Sequence, residues 1–414
     1  MRHFFVLTAL ACFASSAIAE EEKSPDWNTQ TLTGDWGGMR SNLYNKGIDL
    51  GFTHKSDVMD NTSGGIKRGA AWMGHTEARM KMDMEKLLGW DATSAYIHYH
   101  SQLGSKFNRD YIGSFIGVDN IETSVNTAQF YHAWVQKNFS GDSLSVLAGL
   151  YPIDSEFSVT DSSSVFIQPP YGMSNDVAQP VINSLQAPPI FPVVALALRV
   201  KYTPPSKNFY LQGAVMDGVP GDPNNQRGTH VQLNKGDGTL SIVEFGYTPR
   251  RNKESESFNK TAIGFWRYSA HVDDPIDVNV RRINQGAYFL AERTLMVKRD
   301  HPSQGMSGFI RFGTASRNIH QADWTGSLGL HYHGLIDGRD DDIAGIAVTL
   351  NHTSDTYRLI NSSDSSQTNV EATYRAQVYP WLTLQPTVQY ISNPNMDPTL
   401  QDAWVAGIRT EINF

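Results

Sequence analysis

The sequence predicts an all-β protein: a closed transmembrane antiparallel β-barrel of about sixteen strands, with a short N-terminal helix outside it and one long loop folded inward. Three observations carry that expectation. The first is period-two alternation, clearest near the end of the chain. Val370, Ala372, Tyr374, Ala376 and Val378 alternate with Glu371, Thr373, Arg375 and Gln377. Leu382, Leu384, Pro386, Val388 and Tyr390 alternate with Thr383, Gln385, Thr387 and Gln389. Trp404, Ala406, Ile408, Thr410, Ile412 and Phe414 alternate with Val405, Gly407, Arg409, Glu411 and Asn413. Period two means strands with one apolar and one polar face. The second is aromatic placement, with Tyr379, Trp381 and Phe414 at one level and Tyr390 and Trp404 at the other, as two interfacial girdles require. The third is the alternation of tight and long connections along the chain.

The elements follow in order. Met1-Arg2-His3, the apolar run Phe4 to Ala14 and the Ala17-Ile18-Ala19 site read as a secretory signal peptide over 1–19, excluded from the fold. Cys12, the sole cysteine, lies within it, so no disulfide framework or thiolate metal site is expected in the mature chain. The segment 20–47 is expected at the periplasmic mouth of the barrel, with Asp35 capping a short helix that ends at Gly47.

The barrel proper is expected over 48–414. The strand-like segments are 48–58, 70–85, 94–103, 127–139, 143–151, 194–203, 208–217, 239–248, 258–272, 285–296, 307–317, 323–333, 342–353, 369–378, 382–391 and 403–414. In 285–296 the pattern leaves open which face is wet, because Glu292 shares a face with Tyr288 and Leu290. Ser140-Gly141-Asp142, Pro204 to Lys207 and Tyr379 to Trp381 are tight turns. Asp60 to Gly69, Gly104 to Asn126, Gly218 to Gly238 and Ser354 to Gln367 read as long polar loops. No run of eighteen apolar residues follows the signal, so a closed barrel is the membrane architecture left to a secreted, alternating chain. The formal net charge of −8 and the lack of a large basic patch argue against nucleic acid as a partner.

The connection 152–193 stands apart. At roughly forty residues it is far longer than ordinary connections, and such loops carry function. It is rich in proline and aromatics, holds Asp154, Glu156, Asp161 and Asp176, and contains no lysine or arginine. Its aromatics suit packing against a barrel wall, so it is expected to fold inward as a constriction.

Several stretches resemble the carbohydrate-selective porins of the OprB family. They are Gly34-Asp35-Trp36-Gly37-Gly38-x-Arg40, Leu147 through Phe157, Glu244-Phe245-Gly246-Tyr247, Gly286 through Glu292, and Thr373 through Pro394. The resemblance spans nearly the whole mature chain. It implies a sixteen-stranded barrel in the bacterial outer membrane that passes monosaccharides such as glucose by facilitated diffusion. Outer-membrane lipid would then be a partner, and both a monomer and a homotrimer fit. A barrel enzyme of phospholipase type and a secreted glycan-binding β-protein are the alternatives.

Strand period assigns the inward candidates. Glu77, Arg79 and Lys81 share one face; Tyr96, His98, His100 and Gln102 another; His132, Trp134 and Gln136 a third, against Tyr131, Ala133 and Val135. Arg199 and Lys201 share the sixth strand, and Glu244, Arg267 and Arg311 are added from later ones. The expected substrate-binding eyelet is Arg79, His98, Trp134, Arg199 and Glu244 on the wall, with Asp154 and Glu156 on the loop. Cations facing a loop of anions would hydrogen-bond a neutral polyol, and Trp134 would stack on a pyranose face. No catalytic residue, metal or cofactor is expected: His98-x-His100 and His331-x-His333 have metal-compatible spacing but no evident third ligand.

Overall fold

The computed structural model describes residues 24–249 and 258–414, so the expected signal peptide lies outside the described residues. Sixteen strands form one closed antiparallel sheet, each paired with its sequence neighbours and β1 with β16. They are β1 (Ile48–Gly65), β2 (Gly69–Asp83), β3 (Thr93–Gly104), β4 (Thr127–Phe139), β5 (Leu144–Tyr151) and β6 (Ala195–Tyr202). Then come β7 (Phe209–Asp217), β8 (Thr239–Tyr247), β9 (Asn259–Asp273), β10 (Arg281–Lys298) and β11 (His301–Ala315). The circle is completed by β12 (Ala322–His333), β13 (Ile343–Thr353), β14 (Ser366–Tyr379), β15 (Leu382–Ser392) and β16 (Gln401–Asn413). Closure matters physically. Ser56 faces Gly74 on β2 and Thr410 on β16, so β1 has no unpaired edge, and every ladder N–H and C=O can be satisfied inside a bilayer. No described helix is long and apolar enough to span a membrane.

The alternation is inverted relative to a water-soluble sheet. On β8, Leu240, Ile242 and Glu244 are buried, whereas Val243 and Phe245 are 43% and 46% exposed. Glu371, Gln389 and Asn369 are fully enclosed while Val388, Trp404 and Ile408 lie open. The apolar side therefore meets lipid. The two aromatic levels form as expected: Tyr390 contacts Trp404 at 4.9 Å, and Tyr379 stacks on Trp381 at 5.2 Å.

Before β1 the chain forms α1 (Trp27–Gln30), a tight turn and α2 (Met39–Asn45). Asp35 acts one turn later than a simple cap: its carboxylate accepts from the Ser41 backbone at 2.8 Å and hydroxyl at 2.7 Å. Gly47, at φ +95°, ends the segment. Arg40 lies between the Trp27 and Trp36 rings and donates to the Leu50 carbonyl at 3.0 Å, which fastens this segment to β1. A short helix α3 (Met84–Leu88) fills the β2–β3 turn.

Four expectations change. β1 continues to Gly65, so the first long loop is a tight turn; Asn61 holds it by donating to the carbonyls of Gly64, Lys67 and Tyr111. Polar residues on both faces read as loop, but a strand rising beyond the apolar belt has water on both sides. A β-bulge at β3–β4 pairs His98 with His132 and Tyr99 with Phe130, so Tyr131 is the extra residue and turns inward against strict alternation. Arg267 faces outward, because Ala262, Trp266 and Tyr268 take the inward positions of β9. Finally, 105–126 is not a solvated loop. Its Phe107, Ile112, Val118 and Ile121 are buried against Met59, Met73, Ile391 and Val405 on the inner wall. In β10 the ambiguity resolves: Tyr288, Leu290 and Glu292 all face inward, and Leu290 is tolerated there because the long loop covers it.

Candidate functional site: the lumen and its inward loop

The connection between β5 and β6 does fold inward, and the wall holds it at many points. Glu244 on β8 accepts from the Ser158 backbone at 2.9 Å, from Tyr210 and Tyr288 hydroxyls at 2.6 Å each, and from Gln212 at 3.1 Å. Glu292 on β10 accepts from Ser162 N–H at 2.8 Å. Glu371 on β14 accepts from Ile167 and Gln168 N–H at 2.8 and 2.9 Å. Three wall carboxylates thus satisfy backbone donors of a segment that has no sheet to pair with, which burial requires. Arg311 on β11 does the converse. It donates to the carbonyls of Pro170, Tyr171 and Gly172 at 3.0–3.3 Å, and to the hydroxyls of Thr160 and Ser163.

Apolar packing completes the docking. Ile153, Phe157, Met173 and Val177 are buried in one cluster with wall residues of β5 to β10, and Phe166 and Tyr171 pack on Phe309. Asn120 N–H donates to the Ile167 carbonyl at 2.9 Å, joining the two inward loops. Arg409 pairs with Asp57 at 2.6 Å and Asp119 at 3.3 Å, fixing the first of those loops to β1 and β16.

This geometry sorts the expected site residues. Arg199 and Glu156 do meet, at 2.8 Å, with Lys201 at 3.5 Å from the same carboxylate and the Tyr151 hydroxyl donating to it at 2.7 Å. Asp154 meets no cation among the described residues; it accepts from the bulged Tyr131 hydroxyl at 2.8 Å and from Phe191 N–H. Glu244 is wholly enclosed and acts as a loop anchor. Arg79, four strands from Arg199, donates to Thr53 at 2.6 Å and lies 3.7 Å from Glu77. Trp134 is half-buried beside Tyr96, with ring centroids 5.4 Å apart.

His98 is enclosed in a group of rings with His75, His100, His132 and Tyr131. Among the described residues no three His, Cys, Asp or Glu side chains converge as metal ligands.

Among the described residues, Glu156 is the acid of 152–194 that pairs with wall cations. The wall also supplies Asp57, Glu77, Glu244, Glu292 and Glu371, and most of these hold loop backbone or wall cations. In the paired groups the cation is the more open partner: the side chains of Lys55, Arg79, Lys201 and Arg375 keep 20–26% of their surface, against 11% for Glu77 and 7% for Glu156, while Asp161 on the loop is exposed as well.

Asp176, in α4 (Asn175–Ala178), is the exception among the loop acids. It is fully enclosed where Gly313 leaves room, and among the described residues neither carboxylate oxygen has a partner at hydrogen-bond geometry. Burial pushes its pKa up to about 7, with Ser174 and Arg311 opposing weakly. The folded value is raised above an unfolded value near 3.9, so the stability it lends is fully present below about pH 4 and is lost as pH rises through about 7. Asp176→Asn is expected to reduce the pH dependence of loop docking between about pH 4 and pH 7, read by hydrogen exchange across 152–194. A dependence that survives the substitution would assign it to another group.

A family model for carbohydrate-selective porins, the OprB family, matches residues 67–414. Porin B of Pseudomonas aeruginosa is 24% identical over 99% of this chain and 96% of its own length. The putative porin QuiX of Acinetobacter baylyi is 23% identical over the whole of both chains. Among solved structures, Pseudomonas putida OprB at high pH is similar with a TM-score of 0.82 and 21% identity, covering 94% of this chain and 99% of that one.

Proposed function

Since this chain belongs to the carbohydrate-selective porin family and its barrel lies in the bacterial outer membrane, we propose that it passes monosaccharides such as glucose through an eyelet between the inward loop and the wall of β1 to β6. The family is one of channels, which sets the barrel-enzyme alternative aside. The observation that carries the finer reading is the lumen lining. Lys55 and Arg79 stand over Glu77, and Lys201 stands over Glu156, so donors project into the passage with acceptors behind them. A sugar exchanges its water for these groups in turn and stacks on Trp134. Such contacts are weak enough for release, which conduction requires. The end bearing the termini is read as periplasmic, because the long loops 105–126 and 152–194 lie at the other end.

The reading includes a homotrimer. The outward faces of β1 and β2 carry His54 hydrogen-bonded to Thr76 and Ser56 to Trp72, and Ser56 lies beside Thr410 on β16. Small polar residues at that depth suit a neighbouring barrel better than lipid. Cross-linking of Ser56→Cys in membranes reads the assembly directly.

Flux in proteoliposomes tests the solute. Glucose is expected to pass faster than a disaccharide and to block ion current reversibly. Arg79→Ala and Lys201→Ala are each expected to weaken that block by about 1–3 kcal/mol at most, the scale of hydrogen bonds to charged groups. Block unaltered in both variants would make these side chains ordinary lumen lining, and equal flux for mono- and disaccharides would remove the eyelet.

A further inference from the structure

Arg267 faces away from the lumen, onto the outer surface of the barrel. Below it on β9 the outward residues are Phe265 and Ile263, 54% and 43% exposed; above it they are Ser269 and His271. The neighbouring strands change character at the same level. Arg267 pairs with Ser241, which lies above Val243 on β8, and with Gln285, which lies above Ala287 on β10. Arg267 therefore stands at the upper edge of the apolar belt, the depth of lipid headgroups.

An open trough of about 900 Å³ runs across the outward face beside Arg267. Leu198, Val215, Val243 and Phe265 line it with Ser241, Gln285 and Thr314, and Gly213 and Ala287 keep its floor low. Arg293, also outward on β10, turns its guanidinium onto the Lys260 carbonyl at 2.9 Å and the Thr261 hydroxyl at 2.9 Å. Arg267 has no such partner among the described residues. A guanidinium at headgroup depth is stabilised by an anion, and phosphate matches its forked donors.

We propose that this trough is a binding site for a phosphorylated acyl lipid of the outer leaflet, with Arg267 on the phosphate and an acyl chain along Phe265 and Val243. The site rests on the orientation argued above and is independent of the solute carried. The source is a lipid rather than free phosphate, since the trough beside the cation opens on the lipid-facing surface and Leu198, Val215, Val243 and Phe265 give it apolar walls.

The test uses the full-length mature protein refolded into non-ionic detergent, free of bacterial lipid, and titrated with bis-phosphorylated lipid A by native mass spectrometry. Wild type is expected to retain the lipid. Arg267→Gln should weaken retention about tenfold, the loss of one charge-assisted contact. Val243→Trp, which fills the trough and leaves the charge, should weaken it comparably, while Arg293→Gln should not. Glucose flux should be unchanged in all three, which also shows that they fold. Equal retention by Arg267→Gln, equal retention of dephosphorylated lipid A, or complete displacement by millimolar inorganic phosphate would each overturn the proposal.

Discussion

Arg311→Met is expected to release the inward loop and raise single-channel conductance at least about twofold while the barrel stays closed. Arg311 is buried and donates to three loop carbonyls and two loop hydroxyls, whereas the strand ladder of β10, β11 and β12 does not use its side chain. Methionine keeps most of the volume and removes every donor. Carbonyls left buried without a donor cost about 1–3 kcal/mol each. The loop is then left to its apolar packing and to the anchors at Glu244, Glu292 and Glu371. Two readouts separate the cases: heat-resistant barrel migration reports the fold, and hydrogen exchange over 152–194 reports docking. Exchange that rises with no change in conductance would mean the loop is not the narrowest point. Conductance and exchange both at wild-type levels would mean Arg311 is dispensable for docking.

Ile408→Arg should destabilise the barrel in vesicles by about 2–4 kcal/mol, the cost of a cation on the lipid face near the bilayer midplane. Ile408 is outward, 43% exposed, and lies between Trp404 and Phe414 on β16. Val388→Arg should cost less, because the next outward position on β15 is Tyr390 of the upper aromatic level. Denaturant titration in lipid vesicles measures both. Equal costs at the two depths, or none at either, would mean that this face does not meet lipid. Gln389 is no mild inward comparison: it is fully enclosed, donates to the Val118 carbonyl at 2.9 Å and accepts from Gln168 at 2.9 Å. An arginine there would break loop docking, a different cost.

Read two residues at a time, the chain already showed the strand number, the inward and outward faces of most strands, the aromatic levels and the inward course of 152–193. Those properties follow from a local rule, since a strand between lipid and a polar interior must alternate, and alternation is visible without knowing any partner. Inward placement of Glu371, Arg409 and Glu77 was legible on the same ground. What those inward side chains touch depends on residues brought together from distant parts of the chain. The bulge that turns Tyr131 toward Asp154 adds one residue to β4, and no periodicity marks which residue that is. The fold of 105–126 into the lumen depends on Met59, Met73, Ile391 and Val405, which lie far from it in sequence and read as isolated apolar residues on polar faces. Glu244 and Asp154 were expected to face solute but bond to protein, because a buried loop brings its own unpaired N–H groups, and these take up carboxylates of the wall and of the loop itself.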